Sequence, residues 1–156
     1  MNLNKDTLEL NGAMSIVVFD QFTKEVKQEI FYPNLIVTAG KTWVAGRILG
    51  TGGITAMTHM GIGLSSTAAA AGNTILGTEC SSGYTRAALT TATSTSNVIT
   101  FGATFLANNP NVSSVLREAA IFTASTGGIM LCRSVYNIVT KEVTDALSIT
   151  WTVTVG

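Results

Sequence analysis

The chain has 156 residues, in which nine basic and nine acidic side chains cancel, so electrostatics give no case for a nucleic-acid partner. Only 12% of residues are charged, about half the ~25% usual in a soluble domain, yet the mean hydropathy is +0.39. This length is enough for one domain with its own core, roughly 70% of the unfolded surface being buried at such a size. Ile48 to Thr78 and Ala87 to Leu116 lack Asp, Glu, Lys and Arg. Gly, Ser, Thr and Asn interrupt both, so neither is the ~20-residue apolar run of a spanning helix, and no membrane partner is expected. Met1-Asn2-Leu3-Asn4-Lys5-Asp6 lacks the basic-then-apolar layout of a signal peptide.

Residues 1–14 read as an N-terminal arm ahead of a single β-sandwich domain at 15–156. Leu3, Leu8 and Leu10 are spaced through polar neighbours in Met1–Gly12, which reads either as a loose arm or as a segment that docks, the leucines pointing to docking. Ser15–Phe19 reads as a strand, Asp20–Lys24 as its turn, and Glu25–Tyr32 as the return strand. Val26, Ile30 and Tyr32 share one face of that strand, and Glu25, Lys27 and Glu29 the other. Leu3, Leu8, Leu10 and Phe22, the last in the turn, are the candidate contact residues.

Thr38 to Leu49 is the one helix candidate. Thr38 is its expected cap, Trp43, Val44, Arg47 and Ile48 recur at helical spacing, and Gly50 fits a C-terminal glycine. Thr55–Leu64 reads as a strand thinned by Gly61 and Gly63, and Ser65–Asn73 as a small-residue loop with a helical turn at Ala68–Ala71. Tyr84–Thr91 and Asn97–Leu106 read as strands around a Ser/Thr-rich turn at 92–96, and Asn108-Asn109-Pro110-Asn111 as a loop.

The closing region carries the clearest pattern. Val115–Thr123 and Ile129–Tyr136 form a hairpin around Ala124–Gly128. In Leu147–Val155 every odd position is apolar and every even one is Ser or Thr, so an extended strand has one greasy face and one hydroxyl face. The whole reads as mainly β, an antiparallel sandwich of jelly-roll or Ig-like type with about seven or eight strands and one short helix near 39–49.

Sites for chemistry are scarce. His59 is the only histidine, so any nucleophile–His arrangement runs through it, and its setting between Met57 and Met60 in a strand favours a structural role. Gly40-Lys41-Thr42 fails as a phosphate-binding loop because Leu35 stands where the first glycine belongs. Gly61-x-Gly63 has Ser66 where a dinucleotide fingerprint needs its third glycine, so a strand narrowed for close packing is the better reading. Glu79, Glu118, Glu142 and Asp145 are the carboxylates to weigh, and no spacing pairs them. Glu118 and Arg133 fall on paired strands, where a cross-strand ion pair would fix register and add roughly 0.2–1 kcal/mol. Cys80 and Cys132 are spaced for neither zinc nor redox work and read as reduced core thiols. No catalytic residue, cofactor or metal is expected.

A longer series carries a resemblance: Asn34–Lys41 leading into the helix, Met57–Leu64, Thr67–Glu79, Leu116–Phe122, Gly127-Gly128, Leu131–Arg133, Thr140-Lys141 and Leu147–Trp151. It resembles small structural proteins encoded by tailed bacteriophages and prophages, over about residues 15–156. The matching segments are turns and packing motifs. Cys80 and Cys132 depart from the pattern. The resemblance implies a virion protein assembled in the host cytoplasm, contacting itself and either the major capsid protein or neck and tail proteins. A capsid decoration or cement protein is the leading expectation. A neck, baseplate or tail-fibre adaptor is the alternative, and a carbohydrate- or receptor-binding module a weaker one, since aromatics are only 7% and Trp43 and Trp151 fall on expected core faces.

Overall fold

Alternation of apolar and polar residues begins at Leu10 and runs through Gly12, Met14, Ile16 and Val18, which explains where the first strand starts. The computed structural model describes residues 8–51 and 55–156, and among them it forms ten strands and one helix. The strands are β1 (Leu10–Asp20), β2 (Val26–Pro33), β3 (Leu35–Ile36), β4 (His59–Gly63), β5 (Ala87–Ala88), β6 (Thr91–Thr95), β7 (Val98–Phe105), β8 (Ser114–Phe122), β9 (Met130–Lys141) and β10 (Asp145–Val155). Helix α1 spans Thr38–Leu49, between β3 and β4. They build a β-sandwich of two antiparallel five-stranded sheets.

The first sheet has the order β2-β1-β10-β7-β6. Its centre is β10, paired with β1 from Leu10↔Val155 to Asp20↔Asp145 and with β7 from Leu147↔Phe105 to Thr154↔Val98. Leu147, Ile149, Trp151 and Val153 are buried on the inner face, and Ser148, Thr150, Thr152 and Thr154 stand on the other. One-residue slippage would exchange these sets, so the alternation itself fixes the register. The loop 92–96 expected from composition is instead strand β6, and the turn is Ser96-Asn97. Thr is β-branched and suits a pleated surface, and that outweighed the loop-like composition.

The second sheet has the order β3-β9-β8-β4-β5. Both its faces are covered. Ala119 and Ile121 point into the main core with Trp151, Phe105 and Ile16, while Ala120 and Phe122 pack with Val37, Leu76 and Met130 in a smaller cluster on the far side. This accounts for the near-continuous burial of β8, where Ser114–Phe122 shows no clean alternation.

Five local expectations change. Residues 10–14, expected to belong to the arm, pair in β1, and Met14 is core. Thr38 does not cap α1; Val37 occupies the cap position in extended conformation without a side-chain hydrogen bond, and the Thr38 N–H donates to Ala71 O. The strand expected at Thr55–Leu64 contracts to His59–Gly63, that at Tyr84–Thr91 contracts to β5 and the start of β6, and residues 68–71 are not helical. Gly50 does end α1 in the left-handed region, at φ 62°. Gly40 lets α1 lie flush on β9, since a Cβ there would collide with the Leu131 carbonyl.

Candidate interaction surface

The groups with chemical potential are engaged in holding the fold. Glu118 and Arg133 form the expected ion pair at 2.7 Å, and both are buried, with side-chain exposures of 0% and 2%. Register places Arg133 opposite Ala120, one step diagonal to Glu118. Glu118 also accepts from the N–H groups of Ser65, Gly77 and Thr78, and Arg133 donates to the Thr67 and Ala68 carbonyls and to Asn73 Oδ1. The pair therefore ties loop 64–79 down over the outer face of the second sheet. A side chain at residue 63 would sit 2.5 Å from both the Thr78 carbonyl and Glu118 Oε1, so Gly63 is what allows this loop to pass so close. Beside it, Arg86 binds Glu79 at 2.7 Å, donates to the Ala124 and Gly127 carbonyls, and lies 3.5 Å over the Phe122 ring.

The other candidates are similarly placed. Asp145 accepts from Lys27 Nζ, and Glu142 from the Ser113 hydroxyl. His59 is half-buried, and its Nδ1 meets the Thr58 hydroxyl at 2.8 Å. That hydroxyl in turn donates to the Thr123 carbonyl, which assigns the donor role in the first contact to the imidazole. Burial pushes the Cys80 thiol up to about 11 and the Cys132 thiol up to about 12, so both are held protonated and unreactive at neutral pH. Among the described residues no group of three or more His, Cys, Asp and Glu is arranged to hold a metal ion. Among the described residues no helix is long and apolar enough to cross a membrane.

The surface is more informative. An apolar groove of about 470 Å³ opens between α1 and the inner face of the first sheet. Trp43, Val44 and Ile48 form its helix wall, and Ile99, Phe101 and Val153 its floor. The inward residues of β6, Ala92 and Ser94, line its open side. Leu10 and Ile48 continue it toward Leu8, where a second depression of the same size begins. Ile48 and Leu49, at the end of α1, are 73% and 75% exposed.

Of the four expected contact residues, Leu3 lies outside the described residues. Leu8, 59% exposed, and half-buried Leu10 come together at the groove. Phe22, 75% exposed, sits in the turn at the other end of β1; an eleven-residue strand places it roughly 35 Å from Leu10. Sequence reasoning missed the helix wall because helical spacing alone places Ile48 on a core face. The adjacent Ile48-Leu49 pair, which no single helix face can bury, was the available signal. No family model matches the chain, and no curated protein matches it.

Proposed function

We propose that the chain is a structural subunit of a bacteriophage particle, acting as a capsid decoration protein that binds the major capsid protein and copies of itself. The observation that carries this reading is the continuous apolar surface formed by Leu8, Leu10, Val44 and Ile48, set on a rigid sandwich. Its aliphatic side chains desolvate at little cost, and Glu9, Lys41 and Arg47 border them as a polar rim. The phage-like series of turn and packing motifs gives the class. The role asks for no cofactor and no catalytic group. Cementing is linkage: a subunit that binds the closed shell better than free capsid protein stabilises the shell, and many weak copies add.

The test uses shells of the particle whose genome encodes the chain, stripped of this protein. Wild-type protein should rebind and raise the temperature of shell disassembly, and a Leu8→Asp/Ile48→Asp variant should do neither. Undiminished binding by that variant removes the groove from the interface, and failure of the wild type to bind removes the decoration role. Counting copies per particle separates the alternatives: on the order of hundreds fits decoration, and about six or twelve fits a neck, baseplate or tail ring.

A further inference from the structure

The described residues give the two sheets four edges, and three of them are guarded. β3 and β5 are two residues each, too short to template a neighbour, and beyond β3 the Gln28 side chain occupies the β9 edge by bonding the Ile138 carbonyl and the Thr140 N–H. β2 carries Lys27 and Glu29, ends at Pro33 and is irregular at Val18/Phe19 of its partner. Short length, charge, proline and bulges are the devices by which proteins keep sheet edges from pairing. β6 has none of them within Thr91–Thr95; its one irregularity lies just ahead of it, where the Thr90 N–H donates to the Gly102 carbonyl. It reads Thr-Ala-Thr-Ser-Thr, all five residues are exposed, and it pairs only with β7.

We propose that β6 is a dimerisation edge, joining a second copy of this chain antiparallel about a two-fold axis at Thr93. The register with β7 fixes which groups are free. Ser96-Asn97 is a two-residue turn, so Thr95 and Val98 exchange hydrogen bonds, as do Thr93 with Thr100 and Thr91 with Gly102. Alternation then turns the N–H and C=O groups of Ala92 and Ser94 toward the open edge. A two-fold at Thr93 sets Ala92 against the partner's Ser94 and gives about four backbone hydrogen bonds.

The strand is self-complementary under that operation. Thr91 faces the partner's Thr95 and Thr93 faces its own copy, on the outer side, where Thr–Thr pairs are favourable. No charge meets a like charge, because β6 has none. On the inner side only Ala92 and Ser94 intervene between the edge and the apolar groove, so the incoming strand covers the groove's open flank beside Ile48. Sheet pairing supplies the geometry and this covered apolar surface adds to its strength; an isologous contact of this kind closes on itself and stops at two copies. The β2 edge, with Lys27 and Glu29, is the wrong surface for it. The proposal deepens the self-contact in the decoration reading: a dimer that ignores shells would keep the edge and remove the decoration role.

The experiment is sedimentation velocity of the full chain across the micromolar range, with far-UV circular dichroism as the check of folding. Wild type should sediment as a dimer. Ala92→Pro, which removes an edge-facing N–H and no β7 hydrogen bond, and Ser94→Lys, which points a charge inward at the edge, should each give folded monomers. Val26→Lys on the β2 edge should remain dimeric. Thr93→Cys should form a disulfide-linked dimer on mild oxidation, since facing residues of a non-hydrogen-bonded pair stand about 4.5 Å apart at Cα. Cys80 and Cys132 are buried and do not compete. A wild type that stays monomeric, a Ser94→Lys protein that stays dimeric, or a dimer that does not cross-link at residue 93 would overturn the proposal.

Discussion

Removing either partner of the Glu118–Arg133 pair is expected to have unequal effects, and the inequality tests how loop 64–79 is held. Arg133→Met leaves a buried carboxylate without its cation, a situation that typically costs about 3–5 kcal/mol. The three backbone N–H donors from Ser65, Gly77 and Thr78 stay in place and place the loss at the low end of that range. Glu118→Leu removes the common acceptor of those three groups, each costing about 1–3 kcal/mol when orphaned, and also strands the Arg133 guanidinium. Glu118→Leu should therefore be the more damaging change. The double variant should not recover wild-type stability, unlike a simple buried pair replaced by apolar residues, where the exchange is often neutral or favourable. Urea unfolding gives the free energies, and proteolysis of the native variants should cut first within 64–79. If the double variant is as stable as wild type, the carboxylate is not the anchor of that loop and the reasoning fails.

Other outcomes follow from single side chains. Lys141 Nζ is buried without a hydrogen-bond partner, and burial pulls its pKa below the usual lysine value, with Asp145 and Cys80 opposing. The folded chain then holds fewer protons than the unfolded chain between the lowered value and 10.5, so this penalty is full below the folded pKa and fades as pH rises toward the unfolded one. Lys141→Met should stabilise by about 1–3 kcal/mol at neutral pH, with the advantage shrinking in alkaline unfolding experiments; a pH-independent difference would contradict it. Gly40→Ala should cost more than Gly50→Ala in thermal melts, because the first drives a Cβ into the Leu131 carbonyl whereas the second meets no atom and bears only the ~1–2 kcal/mol of a left-handed residue. Trp151→Ala, at the centre of the core, should cost about 3–5 kcal/mol in urea unfolding. Thiol reagents at neutral pH should label neither Cys80 nor Cys132 until the chain unfolds, and labelling at the native rate of a free thiol would refute their burial.

Where one face of a strand meets water, the pattern was legible. Leu147–Val155 could be read directly, since alternation records a buried and an open face; the hairpin around Ala124–Gly128 was legible instead from its glycine turn between two apolar runs. The same logic extends to Leu10, Gly12 and Met14, and weighing their alternation would have moved the start of the domain from 15 to 10. β6 was misread because Ser and Thr serve both turns and strands, and only the pairing with β7 decides between them. The cover over the second sheet was hidden for another reason. Its anchors are Glu118 and Arg133, 40–66 positions from the loop groups they bind, and such distant partners leave no local period. The groove was hidden likewise, since it exists only where α1, β7 and β10 meet. Its Leu8 and Leu10 were nevertheless singled out as leucines amid polar neighbours.

The central place of β10 in the first sheet has a consequence for biosynthesis. β1 and β2 are made early and β7 follows, but β1 and β7 have no contact ladder with one another until residues 145–155 lie between them. A nascent chain must therefore carry its greasy strands uncovered until that late segment emerges from the ribosome. Folding should behave as one late, long-range closure, which places the hazard of misassociation during translation.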